Sequence, residues 1–211
     1  PLFAKAREIL QTGQLGIPKR LVWIVTNWYR TQAYYDSGKW RATWGGEGGG
    51  VLLNQAPHNL DLWQWIFGMP KRIRAFCSVG KYHRIAVEDD ATIYAEYDGG
   101  ATATFITTTG EYPGTNRLEI AGDLGKLVLE EGKLTWWKLP EPERQYCFDV
   151  NASSPPELTK TIFHETPSQF GHAQILQNFT DAVLHGEALI APGIDGIKEL
   201  TLSNAAYLSS W

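Results

Sequence analysis

The stretch DATIYAEYDGGATATFITTT, residues 90–109, decides the fold class of this chain. Apolar and polar residues alternate on both sides of the Asp-Gly-Gly sequence at 98–100, where two glycines favour a tight turn. The stretch therefore predicts two strands, 90–98 and 101–109, that pair antiparallel as a hairpin.

The second of these strands has two unlike faces. One face consists of Ala101, Ala103 and Phe105, whose apolar side chains suit packing against helices. The opposite face is rich in threonine and consists of Thr102, Thr104, Ile106 and Thr108. We expect this threonine face to contact another protein surface, most simply in a homo-oligomer such as a dimer or tetramer. An exposed half of an antiparallel sheet is an equally common alternative.

Outward from this hairpin, the sequence indicates one sheet with helices before and after it. Further strands are predicted at 19–28, 71–81, 116–121, 125–130 and 134–139, several of them joined by short turns. Apolar residues at helical spacing predict helices at 3–12, 54–67, 169–185 and 194–208. Because strands and helices do not alternate, the fold class is α+β: an open, largely antiparallel sheet with helices packed on one face.

The last two of these helices are predicted to be amphipathic. The apolar residues of the first are Phe170, Ala173, Leu176, Phe179 and Val183, and those of the second are Ile194, Ile197, Leu200, Ala205 and Leu208.

Composition excludes several classes of function. The 211 residues carry 19 basic and 23 acidic side chains, a net charge of −4, so a nucleic-acid backbone is not an expected partner. No apolar run is long enough to span a membrane, and without a signal peptide we expect a cytoplasmic protein. Cys77 and Cys147 lie far apart and in no cluster, so neither a disulfide framework nor a metal site is expected.

The first residues of the chain and its lack of a nucleotide-binding motif both suggest a piece of a longer protein. The sequence opens Pro1-Leu2-Phe3 without methionine, and we expect it to be a piece of a longer protein. The glycine run at 45–50 matches neither Gly-x-Gly-x-x-Gly nor the phosphate-binding loop that ends in Gly-Lys-Ser/Thr. This chain alone therefore offers no cofactor-binding motif.

The residues that carry chemistry follow the glycine run. Asn54, His58 and Asp61 are spaced four and three apart, close to one face of the start of a helix. A histidine can transfer a proton near neutral pH, and Asp61 one turn later could orient the imidazole. The Asn54 amide can hydrogen-bond a hydroxyl but cannot take its proton. The structural alternative is that His58 is a packed histidine and Asn54 only the N-cap of the helix.

The segment 29–50 lacks any period and is rich in aromatic residues, which is typical of a functional loop. Tyrosine and tryptophan combine an apolar ring with a polar tip, as suits a sugar ring with hydroxyls at its edge. The candidate substrate-binding residues are Arg30, Tyr34, Tyr35, Arg41 and Trp44. Alternatively, the arginines pair with Glu47 or Asp36 on the surface and some aromatic rings fill the core.

The stretch GGGVLLNQAPHNLDLWQWIFG, residues 48–68, resembles the hallmark of the C-terminal domain of the glucose–fructose oxidoreductase/inositol dehydrogenase/MocA (Gfo/Idh/MocA) family. Three other places agree: the Trp-Arg pair at 40–41, the Glu-Asp-Asp sequence at 88–90, and the closing helices. The closing residues that match are Phe179, Ala182, Gly186, Gly193, Asp195, Gly196, Ala205, Ala206, Tyr207 and Ser209.

The resemblance implies a dihydrodipicolinate-reductase-like C-terminal domain whose Rossmann partner is absent from the chain. Residues 1–211 would form one substrate-binding and oligomerisation domain, with an aromatic loop at 29–50, the motif helix, a sheet at 71–139 and helices at 169–208. The missing domain would bind NAD or NADP and supply a catalytic lysine from a Glu-Lys-Pro motif.

Further implications concern the reaction and its residues. The full-length protein would transfer a hydride between nicotinamide and a sugar or cyclitol hydroxyl, and the chain alone would be inactive. His58 would be the acid/base or hydroxyl-binding residue, while Asn54 stands where many members have Asp. Two other functions stay open: a non-enzymatic carbohydrate-binding or dimerisation module, and a hydrolase that uses His58, Asp61 and Glu47.

Overall fold

A computed structural model describes residues 1–149, 153–165 and 171–211. The helices are α1 (Leu2–Gln11), α2 (Gln32–Asp36), α3 (Val51–Asn54), α4 (Pro57–Phe67), α5 (Glu143–Cys147), α6 (Gly171–His185) and α7 (Gly196–Ser210), with a 3₁₀ turn at Gly193–Asp195. The strands are β1 (Pro18–Val25), β2 (Arg72–Val79), β3 (Glu88–Glu96), β4 (Thr102–Thr108), β5 (Asn116–Gly122), β6 (Gly125–Glu130), β7 (Lys133–Lys138) and β8 (Thr159–His164).

The strands form one sheet in the order β2-β3-β4-β1-β5-β6-β7-β8. Every neighbouring pair is antiparallel except β1 and β4, which are parallel. The predicted α+β class with an open, largely antiparallel sheet is confirmed. The central position of β1 between two meanders was not predicted, nor were β8 and α5, because their sequences carry no clear period.

Aromatic rings join the helices to the inner face of the sheet. Trp63 of α4 stacks on Phe105 of β4 with ring centroids 5.7 Å apart, and Trp23 of β1 meets the same ring edge-on at 6.2 Å. Phe3 of α1 packs on Trp23 at 5.5 Å. Ala103 and Phe105 are fully buried, which confirms the predicted packing face of this strand. Burial of each such large side chain contributes about 1.5–3 kcal/mol.

The threonine face of β4 lies on the opposite side of the sheet. Thr102, Thr104 and Ile106 are half-buried there, and Ile106 is aligned with Ile24 of β1 and Thr92 of β3. No helix of the described residues covers these side chains; they are partly shielded only by their neighbours.

The C-terminal helices differ from the prediction in what they bury. On α6 the apolar side chains are exposed, with Leu176 at 67% and Val183 at 68%, while Phe170 lies outside the described residues. On α7 the predicted stripe is wrong: Ile197 and Leu200 are exposed. The helix instead buries Glu199, Leu202, Ser203, Ala206 and Tyr207. The polar members of this face find hydrogen-bond partners inside the protein, so their burial is tolerated.

The predicted helix 54–67 is two helices, and Asn54 is not its N-cap. Asn54 is the last residue of α3, and Ala56 is the cap residue that precedes α4. Pro57 is the first residue of α4, where its missing N–H is harmless and its fixed φ favours a new helix. α3 begins at Val51 because the backbone N–H groups of Gly50 and Leu52 have an acceptor in the side chain of Glu88.

Within the described ranges, no helix is both long and apolar enough to cross a membrane. The segment 29–50, predicted as a loop, contains α2 and a series of turns.

Gly50→Ala should destabilise the protein, because a Cβ at this position would lie 1.9 Å from the carbonyl oxygen of Glu88. That oxygen belongs to a strand, so the backbone itself has to shift, and we expect a loss of about 1–3 kcal/mol or more. Gly45→Ala is the matched control, since a Cβ there meets nothing within 4 Å. Urea unfolding of both variants checks this; equal midpoints would contradict the packing described.

Candidate functional site

A buried carboxylate anchors the glycine-led motif. Glu88 is 1% exposed and accepts hydrogen bonds from the N–H groups of Gly50 and Leu52 at 3.0 Å and from the hydroxyl of Tyr207 at 2.7 Å. Glu88 thus connects three segments that are far apart in the sequence: the start of α3, the start of β3 and the end of α7. Gly49 is required as well, because a Cβ would lie 2.3 Å from the Tyr207 hydroxyl.

Burial dominates the electrostatics of this anchor. Desolvation raises the pKa of Glu88 although four hydrogen-bond contacts favour its charged form. Desolvation and the neighbouring carboxylate also raise the pKa of Tyr207, so its hydroxyl remains a donor. The pair therefore acts as a structural clamp between α7 and the start of α3.

The side chain of Asn54 is engaged on both sides. Its Nδ2 donates to Glu47, and its Oδ1 accepts from Gln55 Nε2 at 2.5 Å. The other carboxylate oxygen of Glu47 accepts from the N–H of Ala42 at 2.7 Å. Both oxygens of Glu47 are thus occupied, which does not favour the hydrolase alternative, and Asn54 links the motif to the aromatic loop.

His58 projects from the first turn of α4 and is exposed. No hydrogen bond joins its ring to another residue that the structure describes. Asp61 accepts from Gln64 Nε2 at 2.9 Å, and no hydrogen bond between Asp61 and His58 is formed. The structural alternative of a packed histidine is therefore excluded, and the orienting role of Asp61 stays a prediction.

A second carboxylate approaches this end of α4 from α7. Glu199 is buried and accepts a hydrogen bond from Ser203 at 2.7 Å. Burial raises the pKa of Glu199; Asp61 raises it further, while Ser203 and His58 lower it. The side chains of Glu199, His58 and Asp61 thus lie within electrostatic reach of one another.

The candidate residues of the aromatic loop fall into separate groups. Arg30 and Arg41 both stack on the ring of Tyr34, with Cζ–centroid distances of 4.9 and 4.5 Å. Arg41 also lies 4.3 Å from the ring centroid of Trp40 and donates to the Tyr34 hydroxyl at 2.9 Å. Trp44 packs elsewhere, against Tyr207 and Trp211 at the end of α7.

Tyr35 is the most buried of the candidate substrate-binding residues, although it is among the residues that line a cavity of about 290 Å³; its role in substrate binding stays a prediction. It is 8% exposed, its hydroxyl shares a 2.7 Å hydrogen bond with Thr109, and burial raises its pKa to about 12. Its ring packs on His83, which lies between Asp89 Oδ2 at 2.8 Å and the carbonyl oxygen of Arg30 at 2.9 Å. Tyr35 is buried because this polar network supplies a partner for its hydroxyl.

Four residues of this region were not found from the sequence: Gln55, Glu88, Glu199 and Tyr207. Gln55 is 6% exposed, and its side-chain oxygen has no partner in the structure. The sequence carried a signal for two of them, Glu88 as the acidic start of a strand and Tyr207 within the closing residues that match the family, but neither signal indicated a role in the site. The roles of Glu199 and Tyr207 depend on how α7 packs, which the sequence does not reveal.

His58 is not among the residues that line the cavity between α1 and α4. The volume of this cavity is about 720 Å³, and it is bounded by α1, the end of α4, the turn between β3 and β4, and residues 189–198. Among the described residues no group of three or more His, Cys, Asp or Glu side chains could hold a metal ion. Cys77 and Cys147 are both free thiols.

The C-terminal domain model of the GFO/IDH/MocA family matches residues 3–128, more than half of the sequence. The chain belongs to the Gfo/Idh/MocA family. The match includes the glycine-led motif with His58 and the strand that carries Glu88. No curated protein matches the sequence significantly.

Solved structures of this family have the same fold. WlbA dehydrogenase from Chromobacterium violaceum, in complex with NADH and UDP-GlcNAcA, is 25% identical with a TM-score of 0.77; the alignment covers 98% of this chain and 56% of that one. An oxidoreductase from Thermotoga maritima has 19% identity, a TM-score of 0.76 and coverages of 100% and 57%. Levoglucosan dehydrogenase with NADH and levoglucosan has 16% identity, a TM-score of 0.73 and coverages of 97% and 60%.

The chain thus spans a little more than half the length of these Gfo/Idh/MocA structures. Its described residues do not by themselves fit a dinucleotide: the one parallel strand pair, β1 and β4, is not part of a strand–glycine turn–helix unit. The unpartnered oxygen of Gln55 and the exposed ring of His58 are groups that a ligand could contact.

The pKa of Glu199 predicts a pH-dependent stability. A carboxyl whose folded pKa is raised above its ordinary 4.5 contributes stability at low pH that is lost as pH rises through the raised value. Glutamine does not titrate, so the stability of Glu199→Gln relative to the parent should increase between about pH 4 and about pH 7. Urea midpoints at both pH values check this, with exposed Glu157→Gln as the control; a difference independent of pH would contradict it.

Proposed function

We propose that this chain is the substrate-binding, C-terminal part of an NAD(P)-dependent oxidoreductase that acts on a hydroxyl of a sugar or cyclitol. The observation that carries the proposal is the exposed His58 at the start of α4, on the glycine-led motif that the family shares. The WlbA structure with NADH and UDP-GlcNAcA supports a nicotinamide cofactor and a sugar-like substrate.

In this proposal His58 handles the proton of the reacting hydroxyl. An exposed imidazole without an internal partner is free to accept a hydrogen bond from a substrate hydroxyl and then its proton. The nicotinamide supplies the hydride acceptor or donor. Glu199 interacts electrostatically with both His58 and Asp61, so this end of α4 joins the three groups.

Asn54 has a positioning role in this proposal. Its amide cannot take a proton, but it can present a donor and an acceptor to sugar hydroxyls if it exchanges its bonds to Glu47 and Gln55. The clamp at Glu88 holds α3 and so limits where this amide can lie.

The cofactor would be held mainly by a nucleotide-binding domain outside this chain. The exposed apolar side of α6, with Leu176, Phe179 and Val183, supports such a domain as its partner, because a contiguous apolar helix face is rarely left in water. A cytoplasmic location stays a prediction of the sequence.

A homo-oligomer formed through the outer sheet face is also part of the proposal. Val22, Ile24 and Ile106 are aligned on adjacent strands of that face, and the exposed ring of Tyr94 borders them. On β5 the aligned residues are Arg117 and Glu119, which are ion-paired with each other. A half-buried apolar patch with a charge-paired border suits contact with a second copy.

A non-enzymatic carbohydrate-binding module is the second candidate. The neutral amide of Asn54 and the lack of a cofactor motif in the chain favour it. It predicts sugar binding by the full-length protein without any reduction of NAD or NADP, even over long incubation.

Replacing His58 tests the proposed reaction in the full-length protein. His58→Gln should lower kcat by about 10²–10⁴-fold with polyol substrates, because general acid–base catalysis contributes this much. Folding should be unaffected, since the side chain is exposed. His164→Gln, also exposed, is the control, and turnover is followed by nicotinamide absorbance. Full activity in His58→Gln would overturn the proposed role.

Placing a charge on the outer sheet face tests the oligomer. Ile106→Glu should convert a dimer or tetramer into monomers, because a carboxylate would be buried without a partner at the interface. Ser153→Glu, at an exposed position off the sheet, should leave the assembly intact. Light scattering coupled to size-exclusion chromatography measures the mass. A monomeric parent protein would rule out this interface.

A further inference from the structure

Positive charge accumulates on one side of the aromatic loop. A cavity of about 290 Å³ is lined by Lys39, Arg41 and Arg84, with Asp36 as its one acidic residue among the described residues. The chain as a whole carries a net charge of −4, so this local excess is not a property of the composition. We define these three cations as the basic wall.

No ion pair joins a cation of the basic wall to a carboxylate of the described residues. The ion pairs formed there involve other basic residues. Asp36 lines the same cavity and keeps its negative charge, because its hydrogen-bond donor at 2.9 Å is the neutral amide of Gln32. Three cations against one carboxylate leave the cavity lining net positive, and a net positive lining attracts an external anion.

The guanidinium of Arg41 is fixed in position by its aromatic neighbours. Its guanidinium lies between the rings of Tyr34 and Trp40, at 4.5 and 4.3 Å from their centroids, and is half-buried. One Nη donates to the Tyr34 hydroxyl, which leaves the rest of the planar fork without a protein acceptor. A stacked guanidinium loses little rotamer freedom on binding and suits bidentate contact with a carboxylate or phosphate.

Arg30 adds a second guanidinium to the same ring. It stacks 4.9 Å from the centroid of Tyr34, and its Nε is buried without a hydrogen-bond partner. A buried charged donor without an acceptor costs free energy, which an anion nearby would reduce. Two guanidiniums thus share one aromatic ring, and no described carboxylate neutralises either.

We propose that the basic wall, with Arg30 beside it, binds an oxyanion of the substrate, either a carboxylate or a phosphate. The substrate is then an anionic sugar derivative and not a neutral polyol. The identification of the bound anion as a substrate rests on the proposed function, but the anion site itself does not depend on hydride transfer. Asn54 of the motif donates to Glu47, which also accepts from Ala42, a residue that lines the same cavity.

Calorimetry on the full-length protein without cofactor tests the site, with D-glucuronate, D-glucose and inorganic phosphate as probes. We expect glucuronate to bind at least about tenfold more tightly than glucose, since hydrogen bonds to a charged group contribute about 1.5–3 kcal/mol. Affinity should fall as salt is added. Binding of phosphate without glucuronate would support the site and assign a phosphate as its ligand.

Substitutions in the basic wall test where the anion binds. Arg41→Gln should weaken glucuronate or phosphate binding by about tenfold or more and leave glucose binding unchanged. Arg84→Gln, at an exposed position, should have a smaller effect in the same direction and avoids any disturbance of the stacked loop. Arg144→Gln, exposed on α5, is the matched control.

Three results would overturn the inference: no binding of either anion; equal anion affinity in Arg41→Gln, Arg84→Gln and parent; or, where glucuronate is the anion that binds, equal affinity for glucuronate and glucose. The outcome is separable from that of the proposed function. Anion binding lost in Arg41→Gln but retained in His58→Gln supports the site whether or not the protein turns over a nicotinamide cofactor.

Discussion

The buried carboxylate of Glu88 is the constraint on which the rest of this molecule depends. It satisfies two backbone N–H groups at the start of α3 and the hydroxyl of Tyr207 on α7, while its own backbone lies in β3. Buried charge is tolerated only when it is well hydrogen-bonded, so the helix start, the last helix and the sheet must approach together. The glycines at 49 and 50 follow from this, because a side chain at either would occupy the space of Tyr207 or Glu88.

This clamp separates a rigid part of the candidate site from an adjustable part. His58 projects from α4, whose Trp63 is locked against Phe105 of the sheet. Asn54 and the aromatic loop are instead joined by side-chain hydrogen bonds through Glu47, which a ligand can exchange. Proton transfer would thus use a group on a fixed helix, while recognition would use a loop whose stacked arginines are ordered but not neutralised.

Much of the fold could be predicted because its signals are local. The alternation around residues 98–100 indicated the hairpin of β3 and β4, and the spacing of Leu60, Trp63 and Phe67 indicated the helix of the motif. The predictions failed where a residue far away in the sequence determines the local structure. Asn54 resembles an N-cap by type, but Glu88 starts the helix earlier and Pro57 begins a second one. The burial of Tyr35 was not predictable either, because the partner of its hydroxyl, Thr109, lies 74 residues away in the chain.

By itself, the sequence determined the α+β class, the family motif and the position of His58 on it, because periodicity, turn chemistry and motif spacing act over a few residues. Only the tertiary structure decided that β1 lies in the middle of the sheet, that α7 buries Glu199 and Tyr207 instead of its apolar stripe, and that Trp44 parts from the arginines. The reason is physical: a buried polar group goes where its hydrogen-bond partner lies, and that partner can be more than a hundred residues away in the chain.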